Sequence, residues 1–300
     1  MRNRSALRDW VEYAAARLIL ASLEYGPLSL SHLLARGYAR LLDVAVPRLR
    51  RVAMSNLELA FPKLEPPARA RIANGVFHSI ARLLVAVGRM PRIDRAAIGH
   101  WIRYEGYEHF EAARARGRGV LFATAHLGNW ELSAFAHALL TAPMYIVVRP
   151  LDNRRIDALI EYRRTLSGNR LIAKTDDARS ILKALRENQA VGILIDQNAA
   201  PENGVFVDFF GVPACAGTGF AKIAARSGAA VIPGFALWCE AEGRYVLRFL
   251  PQVQMTGNPE DDTRHLQRIL ENVIREYPDQ WLWIHRRWKT RPPGERSPYE

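Results

Sequence analysis

His126 and Glu131 stand in a His-x4-Glu spacing within the stretch Gly119-VLFATAHLGNWELSAFA. If that stretch folds as strand, tight loop and helix, the imidazole lies just past the carboxyl end of a strand. Open α/β sheets gather their functional groups at that place. Asn129 is then placed to cap the following helix and is counted among the candidate substrate contacts, and Glu131 falls in that helix's first turn, close enough to turn back toward His126. A carboxylate accepting from one imidazole nitrogen fixes the tautomer and raises the basicity of the other nitrogen. Such a base can take the proton of an alcohol as the alcohol attacks an acyl thioester, with no covalent enzyme intermediate. Gly128 leaves room for substrate close to the backbone. The spacing alone says little, because His100 and Glu105 repeat it without a preceding strand or a glycine loop. A histidine near a strand end is more often structural than catalytic, so context singles out His126.

Other residues have competing readings. Asp196 and Gln197 follow the apolar run Val191–Ile195, a second strand end, and read either as substrate contacts or as a loop cap. Arg149 follows Met144–Val148; its guanidinium suits bidentate phosphate binding, but a surface arginine is common in so basic a chain. Thr218 and Gly219 open a helix whose N–H groups could face an anionic group or an oxyanion, the alternative being an ordinary N-cap. No metal is expected, since HLGNWE offers no second histidine at zinc-ligand spacing. Cys215 and Cys239 cannot build a disulfide framework, which makes a reducing compartment the default. A serine-hydrolase reading lacks its Gly-x-Ser-x-Gly elbow.

Elements of the right kind surround these residues. Gly37–Phe61 and Pro67–Met90 carry helical apolar spacing, punctuated by Pro62, Pro66–Pro67 and Pro91. From Gly119 onward apolar runs of strand length alternate with helical patterns. The predicted strands are Val120–Ala125, Met144–Val148, Leu171–Ala173, Val191–Ile195, Ala230–Leu237 and Tyr245–Leu250. The predicted helices are Trp130–Leu140, Asn153–Leu166, Asp177–Glu187, Gly219–Arg226 and Asp262–Glu276. This alternation predicts an α/β fold with a mixed, mostly parallel sheet covered by helices. The expected organisation is a membrane-associating helical segment over 1–40 and an α/β domain over 41–290. That domain divides into a helical part, 41–118, and an α/β core, 119–290; residues 291–300 are expected to be a loose tail.

The balance of 42 Lys+Arg against 30 Asp+Glu, a net charge of +12, suits an anionic partner. No nucleic-acid-binding module is recognisable, which favours a membrane or a phosphorylated lipid. Near the N-terminus, Arg2, Arg4, Arg8, Trp10 and the apolar Leu18, Leu20 and Leu23 read either as a helix lying in the membrane interface or as core helices. Gly26 and Pro27 interrupt the segment, which falls short of the ~20 apolar residues of a spanning helix. Near the C-terminus, Trp281 and Trp283 read as core residues of a final strand, and Trp288 and Lys289 as headgroup-level residues.

The string AHLGNWE resembles the signature of the lysophospholipid acyltransferase superfamily, specifically its late acyltransferases of lipid A biosynthesis. RRVAMSNLELAFP (Arg50–Pro62), GILIDQN (Gly192–Asn198), VDFFGVPACAGTGFAKIAARSGAAVIP (Val207–Pro233) and DQWLWIHRRWK (Asp279–Lys289) are similar to further blocks of that branch, in the same order. The likeness runs from about residue 8 to residue 290. It implies His126 as general base, Glu131 as its orienter, and Arg149 at a position suspected of holding a phosphate or sugar. It also implies no cofactor beyond an acyl donor, either acyl carrier protein or coenzyme A thioester. The acceptor would be an anionic glycolipid, a hydroxyl of a lipid A precursor in lipopolysaccharide biosynthesis. The location would be the cytoplasmic face of the inner membrane, with peripheral or single-anchor attachment. ACAGTG stands where glycerolipid acyltransferases carry an FPEGT-like block, which argues against a plain glycerol-phosphate acceptor. The alternatives are another glycolipid or lysolipid acceptor (a phosphatidylinositol mannoside, a lysophospholipid or an amino-acid lipid) and a non-catalytic basic membrane-binding protein.

Overall fold

The computed structural model describes residues 5–173 and 178–299. Arg2, Arg4 and the expected helix start at Asp177 lie outside them. The chain opens with four helices: α1 (Ala6–Tyr25), α2 (Leu28–Ala45), α3 (Pro47–Ala60) and α4 (Pro66–Arg89). Ser5 caps α1 by accepting from the Arg8 amide, and the Gly26–Pro27 break separates α1 from α2. The helix expected over Gly37–Phe61 is instead divided at Val46. That residue, preceding a proline, leaves the helical region (φ −125°, ψ 67°), and Pro47 starts α3 from a first-turn position that needs no N–H.

The remaining strands are β1 (Ile102–Glu105), β2 (Val120–Thr124), β3 (Tyr145–Val148), β4 (Arg170–Ala173), β5 (Ala190–Leu194), β6 (Gly204–Phe209), β7 (Val212–Gly217), β8 (Ala230–Cys239) and β9 (Arg244–Phe249). The helices among them are α5 (Tyr107–Ala115), α6 (Trp130–Leu140), α7 (Arg154–Thr165), α8 (Ala178–Arg186), α9 (Gly219–Ser227) and α10 (Pro259–Glu276). Seven strands form one sheet in the order β1-β9-β8-β2-β5-β3-β4. Its pairs are parallel except β8–β9. The mixed, mostly parallel sheet is thus as expected. Val120, Leu121, Phe122 and Ala123 of β2 are all buried, because helices cover both faces. One face packs against α1, α4, α5 and α6 around Phe110, Phe122, Phe135 and Phe249. The other packs against α8, α9 and α10 around Leu121, Val231, Phe220 and Leu266.

Two parts of the architecture depart from expectation. The β1–α5 unit falls inside the stretch read as wholly helical; β1 is a four-residue edge strand, recognisable only by its pairing with β9. The segment before α9, for which no strand or helix is predicted, contains the β6–β7 hairpin. Its two-residue turn, Phe210 (φ 60°) and Gly211 (φ 78°), has the consecutive positive φ values of a type I′ turn. Phe-Gly lacks the familiar Asn-Gly signal. The strain at Phe210 is tolerated because its ring packs edge-on against Phe61 at 5.2 Å and lies 5.7 Å from Trp283.

The C-terminal segment also differs from its expected form. Trp281 and Trp283 are buried, but no strand forms; Trp281 makes a single bridge to Leu127. Trp288, expected at headgroup level, is fully buried against Phe209, and its indole N–H donates to the Val212 carbonyl. Lys289 is exposed. The tail expected to be loose is tied back: Tyr299 Oη donates to Asn56 Oδ1 and accepts from the Trp288 amide.

Candidate active site

Strand register explains why His126 meets the partner it has. In the parallel pair β2–β5, Thr124 lies opposite Leu194. The residues two positions beyond each end, His126 and Asp196, therefore emerge side by side. Asp196 Oδ1 accepts from His126 Nδ1 at 2.9 Å, while its Oδ2 accepts from the His126 backbone amide at 3.0 Å and from Trp281 Nε1 at 2.9 Å. Asp196 is 3 % exposed. Burial by itself would raise its pKa, but His126 and the Trp281 and backbone donors outweigh that and hold it at about 2. With an ionised carboxylate on Nδ1, the ring proton sits on Nδ1, and Nε2 presents its lone pair outward. Burial tends to lower the His126 pKa; Asp196 chiefly, then Glu131, reverse this and leave it raised. Trp130 closes one side of the ring, edge-on at 5.0 Å between centroids.

Glu131 is placed differently from the expected orienter. It lies in the first turn of α6, and its carboxylate is clamped by Arg164 of α7, through Nε at 2.8 Å and Nη2 at 2.5 Å. The hydrogen-bond partner of Nδ1 is Asp196, and Glu131 acts on His126 through its charge alone. Burial opposes the charge on Arg164, but the bond to Glu131 and the surrounding carboxylates raise its pKa overall.

The loop carrying His126 is fixed from both sides. The Gly128 amide donates to the Gln280 carbonyl, the Asn129 amide to the Ala236 carbonyl, and the His126 carbonyl accepts from Leu282. Gly128 has φ +63°, and a Cβ there would lie 1.9 Å from the Ala236 oxygen. The glycine thus serves close backbone packing rather than substrate access. Asn129 is fully buried and accepts from the Leu132 amide as the α6 N-cap, so it does not face substrate.

Behind Asp196 lies a polar layer that the sequence reading did not connect with the site. Arg287 is fully buried, donating to the Cys215 carbonyl at 2.7 Å and to Gln267 Oε1 at 3.1 Å, with its guanidinium 5.0 Å from the Phe209 ring. Burial lowers its pKa to about 10 against the opposing pull of Asp196. Gln267 in turn donates to the Ile195 carbonyl at 2.7 Å, steadying the end of β5. His285 accepts the Asn198 amide on Nε2. Burial depresses its pKa to about 4 despite Asp196, so it is neutral near pH 7. The signal for this layer was the Asp279–Lys289 block, whose side chains read as core or membrane residues until the fold brought them behind β5.

Gln197 is exposed, with Nε2 3.5 Å from His126 Nε2. Arg149 is exposed beyond β3. Thr218 is buried at the start of α9, and its amide donates to the Asn203 carbonyl, so that N–H does not serve an anion; Gly219 beside it is exposed. The second His-x4-Glu pair is dispersed: His100 is exposed, and Glu105 pairs with Arg248 at 2.8 Å. Among the described residues no group of three or more His, Cys, Asp or Glu side chains could hold a metal ion.

A histidine at a strand end, held at Nδ1 by a buried carboxylate and with Nε2 beside an exposed side chain, is arranged as a base for transfer of a group to a hydroxyl. The model of the bacterial lipid A biosynthesis acyltransferase family matches residues 2–290. The chain belongs to this family. It is accordingly an acyltransferase. The lipid A biosynthesis palmitoleoyltransferase of Escherichia coli (strain K12) is 30% identical over 263 residues, 85% of each chain. The lauroyltransferase of the same organism is 30% identical over 279 residues, 91% of this chain and 90% of its own. The myristoyltransferase is 25% identical over 253 residues, 84% and 78% respectively. Relatives named for three different acyl chains lie at such similar distances that family membership does not choose a chain length. One methylene in an apolar pocket shifts selectivity by only ~1–3 kcal/mol.

Proposed function

We propose that the protein transfers a fatty acyl chain from a thioester, carried by acyl carrier protein or coenzyme A, to a hydroxyl of a lipid A precursor. The observation that carries this reading is His126, with Nδ1 committed to Asp196 and Nε2 faced only by the exposed Gln197 side chain at 3.5 Å. The acceptor hydroxyl loses its proton to Nε2 as its oxygen attacks the thioester carbonyl carbon. The tetrahedral oxyanion then collapses, the C–S bond breaks, and the leaving thiolate takes the proton back from the imidazolium. An ester and a free thiol are the products. Glu131 takes Nε and Nη2 of Arg164, whose charge also bears on His126; the rest of the guanidinium is assigned to an anionic substrate group.

Attachment to the membrane is proposed through the face of α1, α2 and α7. Every large apolar side chain that is exposed among the described residues lies between Leu7 and Val46 or between Leu151 and Leu166. These segments adjoin: Asn153 donates to the Asp9 carbonyl, and the Arg155 guanidinium lies 4.0 Å from the Trp10 ring. Exposed Arg8, Arg36, Arg40 and Arg155 flank the apolar residues, a combination suited to an anionic bilayer surface. One helix, residues 66–92, is long and apolar enough to cross a membrane. It includes α4, which packs into the core through Val76, Phe77, Val85 and Ala86.

The test is a mass-spectrometric lipid profile of cells with the protein, without it, and with His126→Ala. General-base help is worth ~10²–10⁴ in rate, so a lipid A one acyl chain heavier is expected only with the wild-type protein. Acylation undiminished by His126→Ala would overturn the mechanism. A new chain on some other lipid would leave the chemistry standing and replace the acceptor.

A further inference from the structure

Three of the four residues in the loop from His126 to Asn129 have backbone amides already committed. His126 N donates to Asp196, Gly128 N to Gln280 and Asn129 N to Ala236. Thr218 N, at the head of α9, is spent on Asn203. The tetrahedral intermediate nevertheless needs a donor on its oxyanion, since such donors commonly supply the largest single contribution to acyl transfer.

Gln197 is placed to be that donor. Its neighbours are fixed: Asp196 accepts three hydrogen bonds. Asn198 is held through its amide to His285 and through its side chain to Thr290. The Gln197 side chain between them is exposed, and its one hydrogen bond among the described residues is the loose contact to His126 Nε2 at 3.5 Å. In the neutral ring Nδ1 carries the proton and Nε2 can only accept, so the Gln197 atom facing it is the N–H2 group. An attacking hydroxyl must occupy that same lone pair at ~2.6–3.2 Å. The amide and the acceptor hydroxyl therefore compete for Nε2, and the displaced amide is left beside the carbonyl under attack.

We propose that Gln197 is a catalytic residue that covers Nε2 of His126 in the resting site and, once displaced by the acceptor hydroxyl, donates to the thioester carbonyl oxygen as it becomes the oxyanion. The bonds made and broken are those of the acyl transfer, on which this proposal rests; Gln197 adds a hydrogen bond and no covalent step.

The groups that set the charge on His126 are Asp196 after β5, Glu131 on α6 and Arg164 on α7; His285 of the C-terminal segment is coupled to the same ring. A carboxylate placed beside Nε2 adds to the pull of Asp196 and Glu131. The experiment measures kcat, KM and the pH profile of the full-length protein in detergent, with an acyl thioester and a lipid A precursor, for wild type, His126→Ala, Gln197→Ala and Gln197→Glu. Gln197→Ala is expected to lower kcat by ~10²–10³ with KM nearly unchanged. Gln197→Glu should lose a similar factor and move the acid limb of the profile upward by roughly one pH unit, which reports that the side chain stands beside Nε2; the loss in kcat at unchanged KM is the readout that a merely structural contact would not give. A Gln197→Ala enzyme with wild-type kcat, or with its loss confined to KM, overturns the proposal and passes the oxyanion to Leu127 N–H or Arg164. An active His126→Ala enzyme instead overturns the acyl-transfer mechanism itself.

Discussion

Asp196 and Glu131 both act on His126, but by different means. Asp196 holds Nδ1 through a direct bond and so decides which nitrogen is basic; Glu131 contributes charge while its oxygens are spent on Arg164. Replacing Asp196 by Asn removes the tautomer restraint and the main source of the raised pKa together. With His126 as the proposed base, activity requires the neutral ring and rises with pH through the His126 pKa, and a lower pKa moves the acid limb to lower pH. Asp196→Asn is therefore expected to cut kcat by ~10²–10⁴ and to shift the acid limb downward, as read from a kcat/KM–pH profile. Glu131→Gln should shift that limb less, because its influence is the smaller of the two. A larger shift for Glu131→Gln would return the orienting role to that residue. His-x4-Glu was visible in the chain; the bond from Asp196, seventy positions along, was not.

At the scale of the elements, the site is a junction of two parallel strand ends with a strap laid over them. β2 delivers His126, β5 delivers Asp196, and Trp281 and Gln280 fasten the strap to both. At Gly128 the loop carrying His126 packs directly on the backbone of β8. Gly128→Ala would combine a Cβ clash against backbone with an unfavourable positive φ, a pairing that cannot relax without moving the loop. A loss of more than about 3 kcal/mol is expected, seen as a lowered midpoint in thermal unfolding, together with activity well below wild type. An alanine variant with the wild-type midpoint would show that the loop can shift freely. The elements themselves were largely legible, since β2, β3, β5, β8, α6, α7 and α10 all follow from apolar runs or helical spacing. β1 and the β6–β7 hairpin were hidden, because a short edge strand and a Phe-Gly turn gain their stability from partners elsewhere in the chain.

At the scale of the whole molecule, the exposed large apolar side chains among the described residues border the site: α7 carries Arg164 inward to Glu131 and Tyr162 outward, and Leu166 caps its end, exposed. Leu18, Leu33 and Leu41 are 65–72% exposed, so replacing them by Glu should spare the fold. Each substitution is expected to lower binding to anionic phospholipid vesicles about tenfold or more, measured by co-sedimentation at fixed ionic strength. Undiminished sedimentation of the triple variant would place the membrane contact elsewhere.

By itself, the amino-acid sequence determined the elements whose period is local: the apolar strands, the amphipathic helices, the proline and glycine breaks, and the basic histidine at a strand end. Family resemblance added the class of chemistry. Only the tertiary structure decided which carboxylate holds His126, because that depends on the register between β2 and β5. It also decided that Trp288 and Arg287 are interior and that Asn129 faces inward. Burial and pairing are sums over neighbours brought together by the fold, so the chain can state a residue's type and spacing, but not what it will touch.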